Sequence, residues 1–382
     1  MSRSIITLGM DVHKDSITLA VLPDGAPAPT RLDRLPNDLA KLRRYCDRLA
    51  EQGELSACYE ASGAGYVLHR AMREWGYACD VICDVIAPSL IPTKPGVQRK
   101  HDKHDAAQLA RLHRAGELTA VRVPSDTEER VRDVVRCRET FQHETLKSRH
   151  YILKFLARRG FVYRDGDNWT QKHLAWLRTL AAVSSPLATE DALVFREYLS
   201  LLDYKLDRRD ELDRVITKLA TSPAYATAVG WLQCFRGFQL HAAMVLATEI
   251  VDWRRFERPT QLMAYLGLVS RESSSGPRER KGSITKAGNS HCRHVLVQAA
   301  WSYRHRPQVG THLKARQQGQ PAAVITHAWK AQHRLHKLYN HLAYRKQPQI
   351  AAVAVARELV GFLWAVMREL PAAQISSTSS MN

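Results

Sequence analysis

Ser4-Ile5-Ile6-Thr7-Leu8-Gly9-Met10-Asp11-Val12-His13-Lys14-Asp15 opens the chain as a proline-free run of β-branched and apolar residues, the signature of a β-strand. A second apolar run, Ile17-Thr18-Leu19-Ala20-Val21-Leu22, follows at once and stops at the turn Pro23-Asp24-Gly25. The pair predicts the opening hairpin of an α/β domain. Asp11 sits inside the first strand, where a carboxylate costs several kcal/mol unless it is paired or binds a cation. Asp11 is therefore either a strand-end residue in water or part of a site on the sheet.

The 382 residues carry 56 Lys and Arg against 38 Asp and Glu, a net charge of +18. The excess is spread along the chain, not confined to a tail, and implies an anionic partner, with nucleic acid first. Apolar residues make up 45%, enough for proper cores, and the length suits two or three domains. Seven Cys are scattered without a Cys-x-x-Cys pair, which argues against a zinc ribbon and fits reduced thiols in a cytoplasm. No signal-peptide core opens the chain, and no uninterrupted apolar run reaches membrane-spanning length. A cytosolic protein without a membrane partner is expected.

Outward from the hairpin, Asn37 to Gln52 reads as an amphipathic helix with Asn37 as N-cap. Leu55-Ser56-Ala57-Cys58-Tyr59 is a short strand ending at Glu60, and Ala61-Ser62-Gly63-Ala64-Gly65 is the turn into a helix from Tyr66 to Trp75. Ala78 to Val85 is a further strand. Alternating strands and helices predict an α/β domain over residues 1–125. Its last part is a basic loop, Lys94 to Asp105, feeding a helix from Ala106 to Ala115. Asp102 and Asp105 are three apart, so a helix starting there projects both from one side of its first turn. The same spacing also suits helix capping.

Residues 126–222 read as mostly helical and densely basic, through Arg130, Arg132, Arg136, Arg138, Lys147 and Arg149. Near-heptad apolar residues from Phe195 to Leu219 fit either a coiled-coil arm or an amphipathic helix in a bundle. Ser184-Ser185-Pro186 and Thr221-Ser222-Pro223 mark breaks. Residues 223–310 form a second, mainly α domain. Phe235-Arg236-Gly237-Phe238 resembles half of a helix-hairpin-helix, which offers helix-start N–H groups to a phosphate. Gln239 stands where that turn usually has its second Gly. Residues 270–289 form a loop rich in Ser, Arg, Lys and Gly, either a basic surface loop or one that meets phosphate and presents a hydroxyl. A helix from Ser290 to Tyr303 closes it. Residues 311–382 hold a basic helical segment, Ala322 to Met367, and a polar tail, Ser376 to Asn382, expected to be disordered.

Four carboxylates stand out in the first domain: Asp11, Glu60, Asp102 and Asp105. Hard oxygen ligands suit Mg²⁺, and two such ions about 4 Å apart can clamp the attacking and leaving oxygens of a phosphodiester. The order strand-Asp, strand-Glu, helix-Asp is that of a ribonuclease H-like nuclease domain. The actin-type ATPase fold also opens on an Asp-bearing hairpin, but it needs small Gly and Thr in the turn, where this chain has His13 and Lys14.

Gly9-Met10-Asp11-Val12-His13-Lys14, Tyr59-Glu60-Ala61-Ser62-Gly63 and Lys103-His104-Asp105-Ala106 resemble the DEDD-type insertion-sequence transposases. So do Leu262-Met263-Ala264-Tyr265-Leu266-Gly267-Leu268-Val269, Ser275-Gly276, Gly282-Ser283-Ile284-Thr285-Lys286-Ala287-Gly288-Asn289 and Val355-Ala356-Arg357-Glu358-Leu359. These are bridge-RNA-guided serine recombinases of bacteria with a RuvC-like first domain. The resemblance spans nearly the whole chain. It implies that Asp11, Glu60, Asp102 and Asp105 bind Mg²⁺ or Mn²⁺ and that Ser275, with Ser274 and Ser273 beside it, is the nucleophile. It further implies a phosphoserine link to DNA, a guide RNA, and dimers that pair into tetramers on donor and target DNA. A metal-dependent junction nuclease would use the same acids without Ser275. A non-catalytic nucleic-acid-binding protein would use them as caps and solvated side chains.

Overall fold

Strand β1 (Ile5–Val12) alternates its side chains between two faces, as the period of an extended chain requires. Ile6, Leu8, Met10 and Val12 point to one face and are buried; Thr7, Gly9 and Asp11 point to the other. The computed structural model describes residues 4–61, 65–82, 102–182, 184, 186–272 and 281–371, without the side chains of Asp102, Lys103, Glu272 and Lys281. The chain divides into two compact units, Met1–Ser125 with Met263–Ser290 and Asp126–Leu262 with His291–Asn382.

In the first unit β1 is the central strand of five. β2 (Ser16–Pro23) and β3 (Arg31–Pro36) extend the sheet antiparallel on one side, and β4 (Glu54–Glu60) and β5 (Ala78–Ile82) extend it parallel on the other, in the order β3-β2-β1-β4-β5. Helices α1 (Leu39–Ala50) and α2 (Val67–Glu74) supply Leu42, Tyr45, Cys46, Leu49, Leu68 and Met72 to the even-numbered face of β1. Helix α3 (Asp102–Arg114) covers the other face, where Ala106, Ala107 and Ala110 meet Ala20 and Leu22. Small residues there are a necessity. A Cβ on Gly9 would lie 2.2 Å from the Ala106 carbonyl oxygen and 2.5 Å from the Ala110 amide nitrogen, so the α3 backbone rests directly on β1.

Three local details differ from the sequence expectation. Helix α1 is capped by Asp38, whose carboxylate accepts from the amides of Ala40 (2.9 Å) and Lys41 (3.1 Å). Asn37 instead donates its side-chain N–H to the His13 carbonyl at 2.8 Å, tying down the β1–β2 turn. β3 was not expected, because the three charged residues and the proline of Arg31-Leu32-Asp33-Arg34-Leu35-Pro36 hide the strand pattern. It is the exposed edge, where charges and Pro36 discourage further pairing. Helix α3 begins at Asp102 instead of Ala106, which brings both acids into the helix. The strand expected to Val85 is seen to Ile82; Val85 and most of the loop at 94–105 lie outside the described residues.

The second unit is helical. α4 (Asp126–Ala157) and α6 (Thr189–Ala220) are 32 residues each and pack antiparallel, with Arg138 paired to Asp213 near one end and Arg159 to Asp191 near the other. α5 (Gln171–Ala181) closes their far end over Phe155, Leu177, Leu180 and Phe195. α7 (Ala226–Gln233), α8 (Leu240–Ile250), α10 (Ser290–Ala300) with a 3₁₀ turn at Trp301–Arg304, α11 (Thr311–Gln317), α12 (Ala322–Ala343) and α13 (Pro348–Met367) complete it; α9 (Pro259–Tyr265) lies at the boundary between the units. The helical segment expected over 322–367 is therefore two helices, divided before Pro348. By length and composition α13 is apolar enough to cross a membrane, although Arg357 and Glu358 interrupt its apolar run. In this fold it is a core helix: Ala351, Ala352, Val355, Ala356, Leu359, Val360 and Leu363 are buried, and Glu358 accepts from Arg334 of α12 at 2.6 Å. The tail at 376–382 lies outside the described residues.

Gly9→Ala is expected to lose about 2 kcal/mol of stability, since an added methyl meets backbone and must lift α3. Urea unfolding followed by circular dichroism measures this; an unchanged midpoint contradicts the close approach.

Candidate active site

The sheet register carries Asp11 and Glu60 to one edge. The parallel pairing of β1 and β4 ends at Met10 with Tyr59, so Asp11 and Glu60 are the next residues on adjoining strands. Both lie on the α3 face, by alternation with Gly9 and Cys58; the Cys58 thiol donates to the Leu109 carbonyl of α3 at 3.6 Å. Helix α3 runs antiparallel to these strands. Its last turn places His113 Nε2 2.9 Å from the Ser56 hydroxyl, near the start of β4, while Ala106 lies over Gly9. Its first turn, with Asp102 and Asp105, consequently projects toward the edge that holds Asp11 and Glu60. The N-terminal end of a helix also favours carboxylates through its dipole.

Asp11 and Asp105 are partly buried, and Asp11 Oδ2 is 3.2 Å from His13 Nε2. In the sequence, His13 belongs to the Gly9–Lys14 motif and counts against an ATPase turn, with no contact to Asp11 expected. Its position two residues beyond an acid, just past a strand, is the signal for this contact. Among the described residues no three His, Cys, Asp or Glu side chains close into a ligand cluster, the Asp102 side chain being outside them. The donor set itself, hard carboxylates gathered at one helix start and one strand edge, fits a divalent cation of the Mg²⁺ type. The nearby thiols are poor alternatives: burial pushes Cys46 and Cys79 up to about 12 and Cys58 higher still.

Ser273, Ser274 and Ser275 lie outside the described residues. The base of their loop is described. β6 (Ser270–Glu272) pairs antiparallel with β7 (Lys281–Ile284), strands not expected in a stretch read as loop. Below them the Thr285 amide donates to the Val269 carbonyl at 2.8 Å, Lys286 to Gly267 at 3.1 Å and Asn289 to Tyr265 at 3.3 Å. The stretches 262–269 and 282–289, apart in sequence, are thus stitched side by side. Lys286 takes a left-handed φ of 56°, a strain typical of backbone fixed by its surroundings.

Two family profiles match the chain. A DEDD transposase profile of the IS110 type covers residues 8–159, and the profile described as transposase IS116/IS110/IS902 family covers 231–314. A putative transposase of Sinorhizobium fredii, y4qE, is 38% identical over 366 residues, spanning 95% of this chain and 88% of that protein. The transposase for insertion sequence element IS1533 of Leptospira borgpetersenii is 29% identical over 351 residues, 91% of this chain and 99% of that one. The chain belongs to the IS110 family of transposases. It is therefore a DNA-processing enzyme of an insertion sequence, and its mixed five-stranded sheet followed by a mainly helical region is compatible with a ribonuclease H-like first domain.

Two of the basic residues that make the 126–222 stretch densely charged are engaged within the second unit of the transposase. Arg136 makes a bidentate pair with Glu249 of α8 (2.6 and 2.9 Å), whose side chain is only 2% exposed, and Arg138 makes another with Asp213 of α6 (2.8 and 3.1 Å). These charges hold helices together. The α7–α8 turn carries Gly237 at φ 92°, where a Cβ would lie 2.6 Å from the Ala299 carbonyl oxygen. It borders an open cavity of about 310 Å³ lined by Gly237, Gln239, His241, Ala242 and Arg316. α7 and α8 are thus joined through a tight glycine turn, and the Gln239 side chain makes no cap bond at the start of α8.

Immediately after the stitched segment, His291 Nδ1 hydrogen-bonds the Glu139 carboxylate of α4, which raises the imidazole above its usual 6.5 despite partial burial. A raised folded-state value means that this contribution is full below about pH 6.5 and is lost as pH rises through the raised value. Thermal unfolding at pH 6 and pH 9 is expected to show a larger fall for the wild type than for His291→Asn; equal falls contradict the pairing.

Proposed function

We propose that this transposase is an RNA-guided DNA recombinase that joins DNA to Ser275 and holds Mg²⁺ or Mn²⁺ through Asp11, Glu60, Asp102 and Asp105. The observation that supports the metal half is the common edge reached by Asp11 and Glu60 from adjoining strands and by the first turn of α3. A divalent ion held there would polarise a DNA phosphate and stabilise charge developing on it. In this reading Asp11 and Glu60, fixed by the sheet, and Asp105, fixed by the helix, are rigid oxygen donors, and the His13 contact restrains the Asp11 carboxylate. Ser275 Oγ would bond to phosphorus as the phosphorus–oxygen bond to the departing DNA strand breaks, and the serine proton would end on that leaving oxygen as a hydroxyl. The phosphodiester energy is retained in the serine link until the hydroxyl of a new strand takes its place.

The reading assigns residues 1–125 to the RuvC-like domain, 126–222 to a helical linker or coiled-coil arm for assembly and RNA or DNA contact, 223–310 to the serine-bearing transposase domain and 311–382 to a basic helical segment and tail. Guide RNA would read donor and target DNA by base pairing, leaving the protein to hold shape and backbone. Dimers pairing into tetramers would bring two DNAs together in the bacterial cytoplasm, at the nucleoid. The support for this part is the resemblance of motifs along the chain and the +18 charge.

The test is incubation of the transposase, purified with transcripts of its flanking DNA, with labelled donor and target DNA. A denaturing gel should show a protein–DNA adduct with wild type, none with Ser275→Ala or with chelator present, and an adduct retained with Ser273→Ala and Ser274→Ala. Cutting that survives Ser275→Ala would instead establish a metal-dependent nuclease of the junction-resolvase kind.

A further inference from the structure

From Arg280 to Arg357 the chain contains no Asp or Glu, yet it carries fourteen Lys or Arg and eight His. Most of the net charge of +18 is therefore concentrated here, which corrects the expectation of an excess spread along the chain. α12 runs through this acid-free stretch. Val324, Ala328, Ala331, Leu335 and Tyr339 are its buried face. Trp329, Lys330, His333, Lys337, Asn340, His341 and Tyr344 are exposed. At 100° per residue they fall within an arc of roughly 120°, a single stripe along the helix. The acid-free run ends at Glu358, whose carboxylate is engaged by Arg334 beside the stripe.

The stripe combines two chemistries. Lys330 and Lys337 are solvated cations two turns apart, and Arg345 continues the line beyond the helix end. Between and beyond them stand large aromatic surfaces in water. Trp329 is 39% exposed and Tyr344 is 91% exposed. The Trp329 ring is held edge-to-face against His333, with centroids 4.5 Å apart, so its orientation is fixed while much of its surface stays open. A solvated basic face alone needs no aromatic ring. Cations interleaved with open aromatic rings match the backbone and the unpaired bases of a nucleic-acid strand.

We propose that the outward face of α12 binds single-stranded nucleic acid, with Lys330, Lys337 and Arg345 on backbone phosphates and bases stacked on Trp329 and Tyr344. The two rings are about 22 Å apart along the helix, so the stripe spans several nucleotides. Base pairs shield their faces from such rings, which makes duplex DNA the poorer occupant. The proposal rests on the protein being a nucleic-acid enzyme, and not on the carboxylates or on Ser275.

The test is fluorescence anisotropy of the full-length transposase with a labelled 15-mer of dT, a 15-mer of U and a 15-base-pair duplex, at two salt concentrations. Trp329→Ala and Tyr344→Ala should each weaken binding of the single strands by about tenfold and leave the duplex within twofold. Trp329→Phe should restore most of the loss. Lys330→Gln with Lys337→Gln should weaken all three probes and lower the salt slope by about 1 to 2. The ratio of U to dT affinity tells whether RNA or DNA is the favoured strand. Single-strand affinity within twofold of wild type in both aromatic variants, folded by circular dichroism, overturns the proposal. So does an equal loss for duplex and single strands, or a loss of oligomer on size exclusion with strand binding unchanged, which would make this face a contact between copies.

Discussion

The first unit depends on the approach of the α3 backbone to β1 at Gly9. No side chain other than hydrogen leaves room for the Ala106 carbonyl and the Ala110 amide. That contact fixes how high α3 sits on the sheet, and Ala106 and Ala110 are the small partners that permit it. Once the helix is fixed there, its first turn must reach past the end of β1 and β4, because the helix is antiparallel to both. The edge that carries Asp11 and Glu60 thus faces the first turn of a helix from a distant part of the chain. Dispersion and apolar burial hold the arrangement, and the carboxylates need supply none of that stability.

The second unit solves a different problem. Two long helices carry charge on faces that must also pack, and Arg136, Arg138 and Glu139 of α4 each reach another helix. Glu249 is the costly member, since a carboxylate 2% exposed needs its charge compensated, and Arg136 grips both of its oxygens. These pairs give little net stability over apolar packing but fix which faces meet. They also engage two arginines, Arg136 and Arg138, within the protein, which shifts attention to the acid-free stretch from Arg280 to Arg357.

Much of this was legible before the structure. The apolar runs of Ile5–Val12 and Ser16–Pro23, together with Asp11 and Glu60 on or at the ends of strands, identified the sheet and two of its acids, because strands buried on both faces read as nearly unbroken apolar stretches. β3 was not legible: an edge strand needs no apolar alternation. Asn37 and Asp38 are equally good caps by type, and only the turn at His13, which recruits Asn37, separates them. The start of α3 at Asp102 was open because capping and ligation use the same residues at the same spacing. The bidentate pairs of α4 were hidden because an arginine facing another helix and one facing phosphate look alike in a sequence.

The central claim is that the edge beside Gly9 gathers carboxylates for a divalent cation. Titration calorimetry of Mn²⁺ into the nucleic-acid-free transposase tests it without requiring turnover. The account predicts saturable binding that weakens at least tenfold in Asp11→Asn, Glu60→Gln and Asp105→Asn, with each variant still folded. Binding of Mn²⁺ that is unchanged by all three substitutions would contradict it.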